Sequence, residues 1–301
     1  MMRRIGLIIC LFLCAGAAPG AIRTTATTRP APGIVATWQV RDNPPLRLFT
    51  VRVDLTNPAV HIRVCPSDLT SPRPAGWQTC LLPVSAIARR EDLIVAVNGS
   101  FFAPLQYRLI GARRVPYFRG NPANACGWTI SDGRLWSTFD NCPGWPALIV
   151  RRDGSVAMDV YADPPIDAVQ MVSGCQWLVH HGEKTGDDVK PYPRTAVGLD
   201  ASHHTLTLMV ADGHRPGYSV GLTPAQMADL LVADGVTDAI NLDSGGSSTL
   251  VMKLDNNWQL ISRPSDGYEL FIPISLERPV ANALGIVEDS PPAAAQTRAS
   301  R

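Results

Sequence analysis

Two Asp-Gly pairs constrain this chain most. In "WTISDGRLWS" Asp132-Gly133 separates two alternating runs, and in "LIVRRDGSVAM" Asp153-Gly154 does the same. Such a pair between strand-like runs is a hairpin signal, because both turn positions take positive φ, which Asp and Gly tolerate. "LRLFTVRVDL" (Leu46 to Leu55) alternates in the same way and is rich in β-formers. The middle of the chain therefore reads as antiparallel sheet.

One helix is legible alongside the strands. In "LTPAQMADLLVADG", Thr223 is placed as N-cap, Pro224 at the first helical position and Gln226 as the partner of a capping box. Met227, Leu230 and Leu231 form its apolar stripe, and Gly235 its left-handed terminus. A second, weaker helix covers about Val84 to Arg90. Each is followed by an apolar strand ending in a polar, glycine-containing turn: "LIVAVNGSFF" after the first, "TDAINLDSGGSST" after the second. From these units the expected fold is α+β, a single domain with a mixed β-sheet core and a few packed helices.

The ends differ in composition from the middle. Residues 1–21 carry two arginines, a short apolar run and Ala15-Gly16-Ala17, the pattern of a secretory signal. The apolar run is too short for a stable membrane span, so the expected destination is secreted or periplasmic. Residues 22–36 are rich in Thr, Pro and Ala and read as a flexible lead, 37–289 as the folded domain and 290–301 as a disordered tail. Cys10 and Cys14 leave with the signal, so five of the seven cysteines remain. In an oxidising compartment, proximity in sequence suggests Cys65-Cys80 and Cys126-Cys142, with Cys175 left as a buried thiol; sequence alone does not prove this connectivity. Over 301 residues the net charge is +1 without a run of one sign, which gives no electrostatic footprint for nucleic acid.

"INLDSGGSSTLVM" contains Asp-Ser-Gly-Gly, which invites a serine-hydrolase reading through Ser244. None of the histidines (His61, His180, His181, His203, His204, His214) stands in a protease-like setting, and the turn is entered from a helix and a buried strand. Asp243 is the better chemical candidate. Gly245, Gly246, Ser247, Ser248 and Thr249 place small polar groups on one turn, suited to holding an anion on backbone N–H groups. The adjacent pairs His180-His181 and His203-His204 point to opposite faces if extended, and read as surface histidines rather than metal ligands.

Six segments in order resemble the phosphodiester glycosidase family: "AVNGSFF", "SGCQWLVHHGE", "RTAVGLD", "VADGHRPGYSVGLTPAQMADLL", "AINLDSGGSSTLV" and "RPVANALGIV". They run from about Val84 to Val287. Ser100 and Ser244 stand where the family commonly has glycine, His214 where arginine is frequent and Cys175 where a small residue is common. The resemblance implies a hydrolase that cleaves a sugar-1-phosphodiester, or a related glycoside, in the cell envelope, giving free sugar and a phosphomonoester. Its expected partner is a glycan or sugar-phosphate substrate, and the oligomeric state is not fixed.

On that reading, Asp243 serves the anomeric centre as nucleophile or base, and Arg194 neutralises the phosphate, with Arg278 as a second cation. Asp212 is either Asp243's partner or a plain Asp-Gly turn. Asn98, Gly99, Thr195, Asn282 and His214 complete the expected substrate-binding set with the residues of the 244–249 turn. Oxygen ligands leave a calcium or magnesium ion open, although no zinc or EF-hand spacing is present. The rival readings are a non-catalytic glycan-binding or exopolysaccharide-assembly protein, and a serine hydrolase.

Overall fold

The structure is a computed structural model; it describes residues 20–110, 113–139, 142, 144–187, 189–266 and 274–289. The expected signal's first 19 residues and the expected tail lie outside them. An eight-stranded sheet runs in the order Arg23–Ala31, Ile34–Asp42, Pro45–Asp54, Thr205–Ala211, Arg194–Asp200, Val236–Asn241, Gln176–His180, Glu183–Lys184. A five-stranded sheet runs Asn257–Leu260, Leu250–Leu254, Val95–Asn98, Asn282–Glu288, Val60–Pro66. A second five-stranded sheet is built from the two Asp-Gly hairpins with Ala168–Ser173 between them.

Alternation along the strands builds the layers. Val197, Leu199, Leu208, Val210 and Ile240 of the large sheet face Val64, Val95, Val97, Leu250 and Leu284 of the second, and all share one buried core. The opposite face of the large sheet, with Ala196, Met209 and Leu178, is covered by Met227 and Leu231 of the helix Pro224–Ala233. That helix carries the expected capping box: Thr223 Oγ1 accepts from the Gln226 amide and Gln226 Oε1 from the Thr223 amide, both at 3.1 Å. The helix Val84–Arg90 covers the outer face of the second sheet through Ile87 and Ala88, against Ala96, Val251 and Ala283.

Two expectations need correction. The fold is mostly β rather than an α+β mixed sheet. Every strand pair among the described residues is antiparallel, and the two α-helices span only 7 and 10 residues. A parallel pair needs a long crossover. The two helix–strand units do not supply one, because Val95–Asn98 and Val236–Asn241 enter different sheets. Second, the 22–36 lead is ordered as Arg23–Ala31 and the start of Ile34–Asp42, a hairpin turning at Gly33 (φ 79°). Threonine-rich chain pairs well at a sheet edge, and Pro30 is tolerated there. The five described cysteines carry no disulfide in this structure. Cys126 and Cys142 lie beside each other, and burial first, then the Cys142 thiol, pushes the Cys126 thiol up to about 12. Burial pushes the Cys65 thiol up to about 12 and also raises that of Cys80.

The hairpins themselves differ. Asp132 and Gly133 both have positive φ (50° and 74°), as a two-residue turn requires. In the second, Gly154 is left-handed (φ 86°) within a longer loop closed by Gly154 N–H to Arg151 O at 2.9 Å. Among the described residues no helix is long and apolar enough to cross a membrane.

Candidate active site

The Val236–Asn241 strand ends at the seam between the two large sheets, and the polar turn that follows is fastened to both. Leu242 N–H donates to Thr195 O at 2.9 Å on one side, and Asp243 N–H to Gly99 O at 3.0 Å on the other. Asn98, at the end of its own strand, locks this junction from beneath. Its amide donates to Asp243 O at 2.7 Å, while its Oδ1 accepts from the Thr195 hydroxyl at 2.7 Å and the Thr249 amide at 3.2 Å. Asn282 similarly holds Ser100 through both side-chain atoms, at 2.9 and 2.7 Å. Gly99 packs so closely on Asn282 that a Cβ there would fall on its Oδ1.

Above the junction opens a cleft of about 450 Å3 lined by Phe101, Phe102, Tyr117, Val189, Tyr192, Arg194, His214, Asp243, Ser244, Gly245, Gly246 and Arg278. Asp243 is 7% exposed. Its Oδ1 accepts from Ser244 N–H at 2.8 Å and its Oδ2 from the Ser247 hydroxyl at 2.5 Å. Burial is the largest influence on its carboxyl and pushes it up to about 6. Arg278, Ser247 and the Ser244 amide oppose the rise, and Asp266 adds to it.

Arg194 begins its strand opposite Ala211, with Nε donating to Leu222 O at 2.6 Å and Nη1 to Asn241 Oδ1 at 3.3 Å. Burial lowers its pKa, but from a reference so high that it stays a cation at neutral pH. Arg278 is forked onto Asp266, Nε reaching both carboxylate oxygens at 3.0 Å and Nη2 reaching Oδ1 at 2.5 Å. Its guanidinium also lies 3.9 Å from the centroid of the Tyr117 ring. Burial opposes its charge, and the contacts with Asp266 outweigh that, so its pKa is raised.

The structure thus brings Asp243, Arg194, Arg278, His214, Ser244, Gly245 and Gly246 together at one cleft. Other candidates sit elsewhere. Asp212 is 2% exposed and is not among the lining residues; it accepts from Tyr218 Oη at 2.9 Å and Arg263 N–H at 2.8 Å. Burial pushes its carboxyl up to about 6 as well. Asn98, Gly99, Thr195 and Asn282 lie beneath the cleft floor as its fastenings rather than in its lining. Ser247 turns its hydroxyl onto Asp243, and Ser248 and Thr249 are buried.

Part of the anion nest expected over the glycine turn is engaged within the protein, at the Ser244 and Gly245 amides. Gly245 N–H goes to Pro193 O at 2.9 Å and Ser244 N–H to Asp243. Arg194 and Arg278 bring positive charge to the same lining. The Ser244 hydroxyl donates to Leu242 O and accepts from Asn241, each at 3.2 Å, so its described partners include no histidine base.

Sequence reasoning missed Asp266, which orients Arg278, and the aromatic walls formed by Tyr117, Tyr192 and the Phe101-Phe102 pair. The Phe pair lay inside a quoted motif; Asp266 sits in a stretch with no local signature. A resident calcium or magnesium ion does not fit this lining. Asp243 is the one carboxylate among the described lining residues, and both its oxygens are already engaged.

This geometry sits within a recognisable family. The profile of the phosphodiester glycosidases matches residues 91–287, which span the junction, Arg194, Asp243 and Arg278; the chain belongs to that family. It is 33% identical over 174 residues to mouse N-acetylglucosamine-1-phosphodiester alpha-N-acetylglucosaminidase, covering 50% of this chain and 32% of that one. To the human enzyme of the same name it is 30% identical over 207 residues, covering 61% and 36%. The chain therefore spans about a third of the length of these curated relatives. The solved catalytic domain of the zebrafish enzyme, auto-inhibited by its pro-peptide, superposes with a TM-score of 0.64 at 22% identity, covering 90% of this chain and 89% of that one, a likeness of fold.

Proposed function

We propose that this chain is an exported hydrolase that cleaves the bond between a sugar's anomeric carbon and the oxygen of a phosphodiester, acting in the cell envelope. The observation that carries this reading is the convergence of one buried carboxylate, Asp243, and two guanidiniums, Arg194 and Arg278, on a single cleft. Its volume of about 450 Å3 is in the range of small-ligand sites and suits one sugar with its phosphate. Tyr192 and Tyr117 offer faces for the apolar side of a sugar ring.

The chemistry follows from the charges. As the C1–O bond breaks, its electron pair goes to the phosphate oxygen, and positive charge develops at the anomeric carbon. A phosphomonoester is a stable anion, so its departure needs neutralisation more than a proton. Arg194 supplies this with a planar fork that matches phosphate oxygens. Asp243, ionised above about pH 6, stabilises the developing oxocarbenium ion. It either attacks C1 itself or takes a proton from the water that does. Water's oxygen ends on C1, giving free sugar and a phosphomonoester. The anomer released first, read by NMR, separates the two: retention for attack by Asp243, inversion for direct attack by water.

The test is release of reducing sugar from an alkyl α-N-acetylglucosamine-1-phosphodiester, the bond named for the mammalian relatives. Turnover that disappears in Asp243→Asn supports the reading. Tight binding of the ester without release, unaltered in that variant, would point to a glycan-binding protein instead.

A further inference from the structure

The hairpin of Gln176–His180 and Glu183–Lys184 turns through His181 and Gly182, both left-handed (φ 52° and 80°). Such a turn favours Asn-Gly or Asp-Gly, because most residues with a Cβ are strained at its first position. Histidine there has a geometric consequence. Neighbouring residues of an extended strand face opposite ways, but the left-handed backbone swings the His181 ring onto the side of His180. The two imidazoles stack with centroids 3.9 Å apart, and Trp177 stacks on His180 at 4.2 Å. The expectation that this pair diverges is thereby overturned.

Both rings face one carboxylate. Asp238 Oδ1 lies 3.3 Å from His180 Nδ1 and 3.8 Å from His181 Nδ1. Asp238 is 8% exposed and held in place: the His181 backbone N–H donates to Oδ1 at 2.9 Å, and the Thr237 hydroxyl reaches Oδ2 at 3.3 Å. Gly182 N–H donates to Thr237 O at 2.8 Å and ties the turn to the same strand. One ligand atom from each of the three residues lies within 4.8 Å of the other two.

We propose that His180, His181 and Asp238 bind a divalent transition-metal ion of the zinc class, at a site separate from the cleft. Two imidazoles with one carboxylate select such ions over calcium or magnesium, which prefer oxygen throughout. Three protein ligands leave room for water, as in open zinc sites. The His181 side chain is 81% exposed, so its ring can rotate onto an ion shared with His180. The ion would fasten the hairpin tip to Val236–Asn241, the strand whose other end presents Asn241 to Arg194. This inference stands apart from the hydrolase reading.

The test uses the full chain without a histidine tag, stripped with chelator and titrated with Zn2+ by calorimetry and with Co2+ by absorbance, in the presence of excess Ca2+. One ion per chain is expected, with binding at least about tenfold weaker in His180→Asn, His181→Asn and Asp238→Asn. His181→Asn is the informative variant, because asparagine suits the left-handed position and keeps the turn. His203→Asn, at another left-handed histidine (φ 57°), should bind as the parent does. Absence of Zn2+ and Co2+ binding at about 100 μM metal, competition by Ca2+, or undiminished binding in a folded His181→Asn variant would each overturn the assignment.

Discussion

Replacing Asp243 by asparagine should reshape the pH dependence of stability. Burial raises its carboxyl from 3.8 to about 6. At about 1.36 kcal/mol per unit, holding it ionised in the folded state costs about 3 kcal/mol relative to the unfolded chain. The sign follows from proton binding, since the folded protein holds this proton more tightly. Its contribution is fully present below about pH 4 and is lost as pH rises through about 6. Asparagine does not ionise and removes that slope, while Asp212, which also titrates near 6, remains in both proteins and cancels. The amide keeps one acceptor, so one of the two donors at Ser244 and Ser247 loses its carboxylate partner, at a cost of about 1–2 kcal/mol. The variant should therefore be less stable than the parent near pH 4 and more stable near pH 7. The difference should swing by about 3 kcal/mol. Urea denaturation across pH 4–8 reads this directly. Parallel stability curves for the two proteins would refute the reasoning, because they would mean that the buried carboxyl titrates as if in water.

Four further outcomes follow from the same geometry. Arg194→Lys keeps the charge but loses the fork, and kcat/KM for the phosphodiester should fall by about 10²-fold or more while cooperative thermal unfolding persists. Ser244→Ala should retain turnover within about tenfold and the parent should resist fluorophosphonate labelling, since its hydroxyl lacks a base. Asn98→Ala removes three buried hydrogen bonds and should lower stability by about 3–4 kcal/mol in urea denaturation. Finally, kcat/KM should rise through about pH 6 as Asp243 ionises, and a rate flat from pH 5 to 8 would count against its role.

Features encoded by neighbouring residues were legible in the sequence. The Thr223-Pro224-Gln226 cap, the Asp132-Gly133 turn and the convergence of polar residues after Ile240 each depend on contacts within a few positions. The sheet pattern was not, because Val95–Asn98 takes its partners from Leu250–Leu254 and Asn282–Glu288, more than 150 residues away. Without those pairings, two helix–strand units looked like pieces of a mixed sheet. The placing of the polar residues was hidden for a related reason. Asn98, Asn282 and Asp212 look like ligand groups in a linear chain, but they satisfy backbone atoms that become buried only when the sheets meet. Asp243 and Arg194 differ in that their satisfied atoms still leave a face on the cleft. The His180-His181 pair was misread because one left-handed residue reverses the alternation that the strand rule assumes.

The junction at Leu242 and Asp243 has a bearing on dynamics. Successive amides on this short stretch are clamped in opposite directions, one to each of the two large sheets. Their protons cannot reach solvent unless the sheets part, so they belong with the slowest-exchanging protons in the molecule. The candidate site is thus seated on a stretch that opens only when both sheets do, while its aromatic walls stand on loops outside that clamp.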